Sequence, residues 1–201
     1  MALKHSYTLI APIYDSLVSG PLEFYRQKSL ARLNDTNNKQ ILINGIGSGL
    51  DIPFLPADAS YTGTDITPAM LQRAKNRASK ISSLDIRFHV ADSLALPFKD
   101  DSFDIIIMHL ILAVVPNSEL ALQEASRVLK PGGKIYLFDK FIKPGQLAIV
   151  RRLLSLFIRH VATRTDVVFE EVLQTCPQLD VIRDEPALAK GWFRLIELQK
   201  Q

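Results

Sequence analysis

The sequence predicts an α/β fold, a three-layer α/β/α sandwich around a mostly parallel sheet of seven strands. The first observation is a buried-strand signal, residues 41–43, that breaks into the glycine-rich turn GIGSG at residues 45–49. The second is that two later strand-like runs end in aspartate, at Asp65 and at Asp92. Strand-like runs that alternate with helix-like runs indicate a parallel sheet with helices on both faces. Because the carboxyl ends of such strands meet at one edge, the turn and both acids are expected at one ligand site.

The composition is that of one globular domain. The chain has 201 residues, of which 47% are hydrophobic and 22% charged, and its net charge is +3. We find no internal repeat, linker or second domain. The single cysteine, Cys176, excludes an intramolecular disulfide. The first residues lack a signal-peptide pattern, and the longest apolar run, residues 105–115, is too short to span a bilayer. The sequence therefore predicts a cytoplasmic protein.

The elements follow from local signals. Thr67 followed by Pro68 is a typical helix start, with Thr as the N-cap and Pro in the first turn. The Pro-Gly-Gly run at residues 131–133 is expected to stop a helix and to lead into a strand. The predicted helices are two within 6–33, then 69–80, 118–129, 146–162 and 169–174; beyond the three strands above, strands are predicted at 104–108, 134–139, 179–183 and 192–198.

The strand–turn–strand series resembles the class I S-adenosylmethionine-dependent methyltransferases. The resemblance continues through residues 94–116 and 124–140 and is most specific at VLKPGGKIYLFD, residues 128–139. It covers nearly the whole chain and implies a methyltransferase that uses S-adenosyl-L-methionine. It also implies an antiparallel last strand and divides the single domain 1–201 into an N-terminal helical lid, residues 1–35, and a Rossmann-like core, residues 40–201.

A nicotinamide dinucleotide site is the alternative for the glycine turn, since it also combines a strand, a glycine-rich turn and a later acid. The dinucleotide fingerprint places its third glycine one residue later, where this chain has Leu50. S-adenosylmethionine has no phosphate and needs only close approach to the backbone, which Gly45, Gly47 and Gly49 permit. The spacing favours S-adenosylmethionine.

The resemblance implies that Asp65 accepts both ribose hydroxyls, because one carboxylate can take two such donors. The alternative is that Asp65 is only an acid that precedes the helix, near its N-cap Thr67. Ile66 is expected against the adenine face. Asp92 is expected to accept the adenine amino group, with the backbone N–H of Ser93 facing a ring nitrogen. The alternative for Asp92 is a loop acid that caps the following turn.

Asn44 departs from the pattern of the family. Members usually carry Glu or Asp at the end of the first strand, where it receives the ammonium group of the cofactor. Asn keeps the size and one acceptor oxygen of that acid but loses its charge. Asp51 is near in sequence but follows the turn, so it cannot be assumed to compensate. Asn44 is expected to bind the cofactor, and its lost charge leaves open a non-catalytic homologue.

His109 follows the fourth predicted strand, in the loop that faces the methyl group in this fold. We expect it to contact the cofactor and to act as an acid–base group or acceptor contact; the alternative is a buried histidine under an apolar loop. The four histidines are too scattered to indicate a metal site. Residues 108–111 lack the Asn/Asp-Pro-Pro-aromatic run of base-methylating enzymes, so we expect no nucleic-acid substrate.

Several segments resemble enzymes that methylate amphiphiles. Residues 6–15 resemble the lid of quinone and phospholipid methyltransferases, with Tyr7 and Tyr14 reaching over the site; the alternative is a helix packed on the sheet edge. Residues 165–198 and 45–56 resemble bacterial phosphatidylethanolamine N-methyltransferases more closely. Residues 146–164 combine apolar residues with Arg151, Arg152, Arg159 and Arg164. That basic amphipathic helix suits peripheral contact with an anionic membrane, or it packs on its own sheet.

These features predict N-methylation of an amine-bearing phospholipid head group such as phosphatidylethanolamine. The neutral amine is expected to attack the methyl group directly while Tyr14, His109 and Tyr25 hold it in line. A quinone-type or other small amphiphile is the alternative acceptor. A homologue that only binds S-adenosylmethionine is the alternative to an enzyme.

Overall fold

A computed structural model of the protein describes residues 22–142 and 167–201. Within these residues one seven-stranded sheet has the strand order β3-β2-β1-β4-β5-β7-β6. Strands β1 to β5 are parallel, and β7 is antiparallel to both of its neighbours. The strands are β1 Gln40–Asn44, β2 Ser60–Asp65, β3 Asp85–Val90, β4 Phe103–His109, β5 Leu129–Lys140, β6 Leu179–Pro186 and β7 Phe193–Lys200. The predicted lid segment 6–15, with Tyr7 and Tyr14, and the basic segment 146–164 lie outside the described residues.

Four helices are described around this sheet. Helix α1 covers residues 22–30. The others are α2 Pro68–Ala78, α3 Ser118–Val128 and α4 Phe169–Gln174, and a short 3₁₀ turn covers Ile52–Phe54. Among the described residues no helix is both long and apolar enough to cross a membrane.

Strand β1 lies in the interior of the sheet and is apolar on both faces, as a buried parallel strand requires. It pairs with β2 on one side and β4 on the other. Ile41 and Ile43 pack into the core cluster that also holds residues of α1 and α2, whereas Leu42 packs into the cluster that holds residues of α3 and α4. Side chains that alternate between two helical layers confirm the predicted three-layer sandwich.

Of two local predictions, the helix start is confirmed and the place of the Pro-Gly-Gly run needs correction. Thr67 is the N-cap of α2 and Pro68 its first residue, but the Thr67 side chain makes no capping hydrogen bond; its backbone N–H instead donates to Asp65 Oδ1 at 2.8 Å. The Pro-Gly-Gly run does not precede β5 but lies inside it. Leu129 pairs with Phe103, and the next pair is Lys134 with Ile105, so residues 130–133 bulge out of the ladder.

Candidate functional site

The glycine turn follows β1 and leaves an open space at its middle residue. Gly45, Gly47 and Gly49 all have positive φ, between 56° and 82°. A Cβ atom on Gly45 would lie 2.6 Å from Ile111 Cδ1, and one on Gly49 would lie 3.0 Å from the Ala74 backbone. Around Gly47, by contrast, no atom of the described chain lies within 4 Å of that position. The turn therefore packs tightly at both ends and offers a ligand room in its middle.

Asp65 ends β2 directly beside this turn. Its Oδ2 accepts the Gly47 N–H at 3.0 Å, and its Oδ1 accepts the Thr67 N–H at 2.8 Å. Burial raises the pKa of this carboxyl, although both backbone hydrogen bonds oppose the rise. Each oxygen keeps a second lone pair, so the carboxylate can still receive two hydroxyl groups. The two interpretations of Asp65 are therefore compatible, since it leads α2 and remains able to bind a ribose.

The side chains predicted around adenine lie along the same edge. Ile66 is 45% exposed immediately after β2. Asp92 is exposed after β3, and its Oδ1 accepts the Leu94 N–H at 2.9 Å, which is the loop cap given above as the alternative. Val90 is 59% exposed and pairs with Asp65 across the two strands. Val90 is thus an exposed apolar residue at this edge that the sequence analysis did not assign to the site.

Asn44 is fully buried at the end of β1. Its Oδ1 accepts the Ser93 hydroxyl at 2.7 Å and the Thr64 hydroxyl at 3.4 Å. Its Nδ2 has no hydrogen-bond partner in the described parts of the chain. Because both neighbours are hydroxyl groups, which donate or accept, rotation of the amide would present the oxygen instead. Asn44 thus places an uncharged amide of either polarity at the end of β1.

His109 ends β4 in a buried polar cluster, with its side chain only 1% exposed. Its Nδ1 lies 2.9 Å from Asp51 Oδ1, and its Nε2 lies 3.0 Å from Ser29 Oγ. A carboxylate only accepts, so the proton sits on Nδ1. Both ring nitrogens are engaged by the protein, which favours the alternative of a buried histidine. A catalytic role for His109 stays a prediction.

Asp51 is the centre of that cluster and was not assigned from the sequence. Arg26 Nη1 donates to Asp51 Oδ1 at 2.8 Å. Burial alone would raise the pKa of Asp51, but the neighbouring His109 and Arg26 outweigh it and hold the pKa well below its ordinary value. The Asp51 carboxylate therefore serves Arg26 and His109, and it does not replace the acid missing at Asn44.

Tyr25 lies on α1 over the carboxyl end of β5. Its ring stacks on Phe138 with centroids 6.0 Å apart, and Tyr25 and Leu110 both pack against the core cluster that contains Phe138. Leu110 directly follows β4 with φ of 59°, a strained conformation for a bulky residue. Tyr25 thus lies beside the loop expected to face the methyl group.

Asp139 is a second buried acid that the sequence analysis missed. It accepts the Ala113 N–H at 3.1 Å and the Lys140 N–H at 2.8 Å. Burial raises its pKa to about 6. Burial also lowers the pKa of Lys140, with Asp139 opposing that change. Through these bonds the end of β5 holds the loop that follows β4.

Residues 22–142 and 167–201 contain no group of three His, Cys, Asp or Glu side chains that could hold a metal ion. The residues present do fit S-adenosylmethionine. The space at Gly47, the free lone pairs of Asp65 and the unpaired amide of Asn44 all lie along one edge of the sheet.

Comparison with known proteins identifies the family. The family "Methyltransferase domain" matches residues 42–137. The chain is 28% identical to the phosphatidylethanolamine N-methyltransferase of Cereibacter sphaeroides over 100% of this chain and 98% of that protein. It is 33% identical to a demethylmenaquinone methyltransferase of Tropheryma whipplei, strain Twist, over 81% of this chain and 67% of that protein.

Solved structures share the fold. The [4+2]-cyclase SpnF superposes with a TM-score of 0.80 at 16% identity, covering 98% of this chain and 95% of SpnF. A geranyl diphosphate C-methyltransferase of Streptomyces coelicolor A3(2), solved with S-adenosyl-L-homocysteine, superposes with a TM-score of 0.74 at 16% identity, covering 90% of this chain and 78% of that chain. The family match and the sequence relatives show that this chain belongs to the class I S-adenosylmethionine-dependent methyltransferases.

Proposed function

We propose that this methyltransferase N-methylates an amine-bearing phospholipid head group such as phosphatidylethanolamine. The observation that carries the proposal is the similarity to a phosphatidylethanolamine N-methyltransferase along the whole of both chains. The similarity includes α1, β6 and β7, so it extends beyond the strands that carry the predicted cofactor-binding residues.

A row of aromatic rings supports an amphiphilic acceptor. It runs from α1 across the carboxyl ends of the strands to β7, and its end residues Phe24 and Trp192 are 63% and 36% exposed. Such a row offers apolar surface to a lipid and aromatic faces to a methylated ammonium group. The ring centroids are 5.2 Å apart for Phe24–Tyr25, 6.0 Å for Tyr25–Phe138, 5.9 Å for Phe138–Phe193 and 6.0 Å for Trp192–Phe193.

The reaction requires positioning above all. S-adenosylmethionine supplies a methyl group on a positively charged sulfur, and the acceptor attacks in line with that bond. Fixing two reactants in this geometry can supply about 7–11 kcal/mol of the barrier. In this proposal Gly47 and Asp65 would hold the cofactor, and Tyr25 would lie beside the acceptor. A neutral amine needs no dedicated base.

A quinone-type acceptor is the second candidate, because a demethylmenaquinone methyltransferase is also a relative. Transfer to a quinone-type acceptor requires removal of a proton from oxygen or carbon. His109 at the end of β4 is the candidate base, and both of its ring nitrogens are hydrogen-bonded to protein groups. Because neither nitrogen is free to take that proton, this arrangement supports an amine acceptor over a quinone-type acceptor.

Contact with the membrane belongs to the same proposal. The basic segment 146–164 would meet anionic lipid, and each arginine near such a surface is worth about 1 kcal/mol. Because exposed charges are screened by salt, activity on liposomes should rise with anionic lipid and fall with ionic strength. The protein would then work as a cytoplasmic enzyme that is peripheral on the membrane.

The test is methyl transfer from S-adenosylmethionine to phosphatidylethanolamine liposomes, followed by mass spectrometry of the lipids. Mono-, di- or trimethylated head groups are expected, and Asp65→Ala should strongly reduce them at a limiting cofactor concentration, as a control for cofactor dependence. A demethylated quinone acceptor is assayed in parallel. Turnover of the quinone alone would refute the lipid assignment. Binding of S-adenosylhomocysteine without turnover of any acceptor would contradict the proposal and support the alternative of a non-catalytic homologue.

A further inference from the structure

Arg26 is a buried cation at the edge of the cofactor site. It lies on α1, is 8% exposed, and donates from Nη1 to Asp51 Oδ1 at 2.8 Å. Its Nε is also buried, and it finds no hydrogen-bond acceptor within the described ranges. A buried N–H without an acceptor is rare in folded proteins and calls for a physical explanation.

In the polar cluster around Arg26, one carboxylate oxygen receives two donors. Asp51 Oδ1 receives both Arg26 and the Nδ1–H of His109. The remaining ring nitrogen of His109 pairs with the Ser29 hydroxyl. These three partners therefore satisfy one another, while Arg26 still has an unpaired donor. A guanidinium in this state is suited to the oxygen of an anion, which accepts from two N–H groups at once.

The position of the cluster points to a ligand of this same site. Asp51 follows Gly49 by two residues, and His109 is the last residue of β4. Arg26 therefore lies between the glycine turn and the loop expected to face the methyl group. At the end of β1, Asn44 offers the cofactor no charge, so the ammonium group of the cofactor lacks an ionic partner there.

We propose that Arg26 forms an oxyanion subsite, which takes a carboxylate or phosphate oxygen of a bound ligand. Two ligands can supply this oxygen. One is the amino-acid end of the cofactor, whose carboxylate would become its main charged anchor. The other is the phosphate of a phospholipid acceptor, and this second source rests on the proposed function.

Calorimetry with two pairs of ligands separates the sources. S-adenosylhomocysteine is compared with its decarboxylated analogue, and glycerophosphoethanolamine is compared with ethanolamine. Each titration uses the wild type and Arg26→Gln. The neighbouring Arg32→Gln is the matched control, because Arg32 pairs with Glu185 of β6, away from the glycine turn. Loss of one charge-assisted contact is expected to weaken binding by about 10- to 100-fold.

If the carboxylate is the partner, Arg26→Gln weakens S-adenosylhomocysteine but not its decarboxylated analogue. If the phosphate is the partner, only glycerophosphoethanolamine is weakened. The subsite is refuted if Arg26→Gln changes both members of each pair alike, or changes none of the four affinities. Failure here leaves lipid methylation by the wild type untouched, so the two proposals are judged separately.

Arg26→Gln also leaves Asp51 without its cation. Two further variants keep the test valid if the single variant unfolds. Arg26→Lys retains a cation beside Asp51 but has no second donor in a fork. The double variant Arg26→Gln with Asp51→Asn removes both charges together. Both are expected to show the same selective loss as Arg26→Gln in the calorimetric titrations.

Discussion

The Asp65 carboxylate connects the glycine turn after β1 with the start of α2. It holds the glycine turn through the Gly47 N–H and the start of α2 through the Thr67 N–H. We propose that the same side chain also binds the ribose of the cofactor through its remaining lone pairs. Replacing it must affect the affinity for the cofactor and, to a smaller degree, the stability of the fold.

We expect Asp65→Ala to weaken S-adenosylhomocysteine binding by about 100-fold or more, because two hydrogen bonds to a charged group are lost at about 1.5–3 kcal/mol each. Calorimetry measures the dissociation constant. Asp85→Ala is the control, since Asp85 begins β3 at the opposite end of the sheet and bonds only the Ser60 hydroxyl in the described chain. An unchanged dissociation constant for Asp65→Ala would remove this residue from the site.

The Pro-Gly-Gly run shows how a motif can identify a family while serving the fold. At Gly133 an added Cβ would lie 2.8 Å from two backbone oxygens, those of Asp104 and Lys130. At Gly132 it would meet no atom within 4 Å among the described residues, although φ is +75°. The run thus lets β5 leave and rejoin the β4 ladder. Near its end, β5 includes Asp139, which holds the loop after β4 through the Ala113 N–H.

Gly133→Ala is therefore expected to destabilise the protein by about 3 kcal/mol or more, because backbone oxygens cannot move aside as a flexible side chain can. Gly132→Ala should cost only about 1–2 kcal/mol, the strain of a left-handed conformation. Urea unfolding of both variants gives the comparison. Equal losses, or a larger loss at Gly132, would mean that the bulge relaxes freely and that the close approach is unimportant.

The sequence analysis anticipated the elements better than their tertiary contacts. Apolar strands and helix starts are local signals, so the sheet, α2, α3 and α4 were found close to their observed bounds. The antiparallel β7 followed from the family resemblance, because periodicity carries no strand direction. The bulge inside β5 was missed, since the Pro-Gly-Gly run carries ordinary turn chemistry and only the β4 register reveals its place in the ladder.

At the scale of the whole molecule, the site depends on contacts between distant segments. Arg26 and Asp51 are 25 residues apart in sequence, and Asp51 and His109 are 58 apart. No local pattern predicts such pairs, because they form only when segments that are distant in sequence pack together at the edge of the sheet. Asp51 and Asp139 are both buried, and their pKa values move in opposite directions.

These opposite shifts predict how the stability of the fold depends on pH. Burial raises the pKa of Asp139 from 3.8 to about 6, and Lys140 beside it does not outweigh that effect. Between these values the folded protein binds more protons at Asp139 than the unfolded chain does. The contribution of Asp139 to the free energy of unfolding therefore decreases as the pH rises from about 4 to about 6. Asp51 has a lowered pKa, so its contribution is present above the ordinary range of an aspartate and is lost on acidification.

The contribution of Asp139 can be isolated by comparing the wild type with Asp139→Asn, which has no titrating group at this position. The free energy of unfolding in urea is measured for both proteins from pH 4 to pH 8. We expect the advantage of the wild type over the variant to shrink as the pH rises to about 6 and to stay constant above it, because the charged carboxylate is buried at a cost. A difference that grows with pH would show that the backbone N–H groups around Asp139 stabilise its charged form more than burial opposes it.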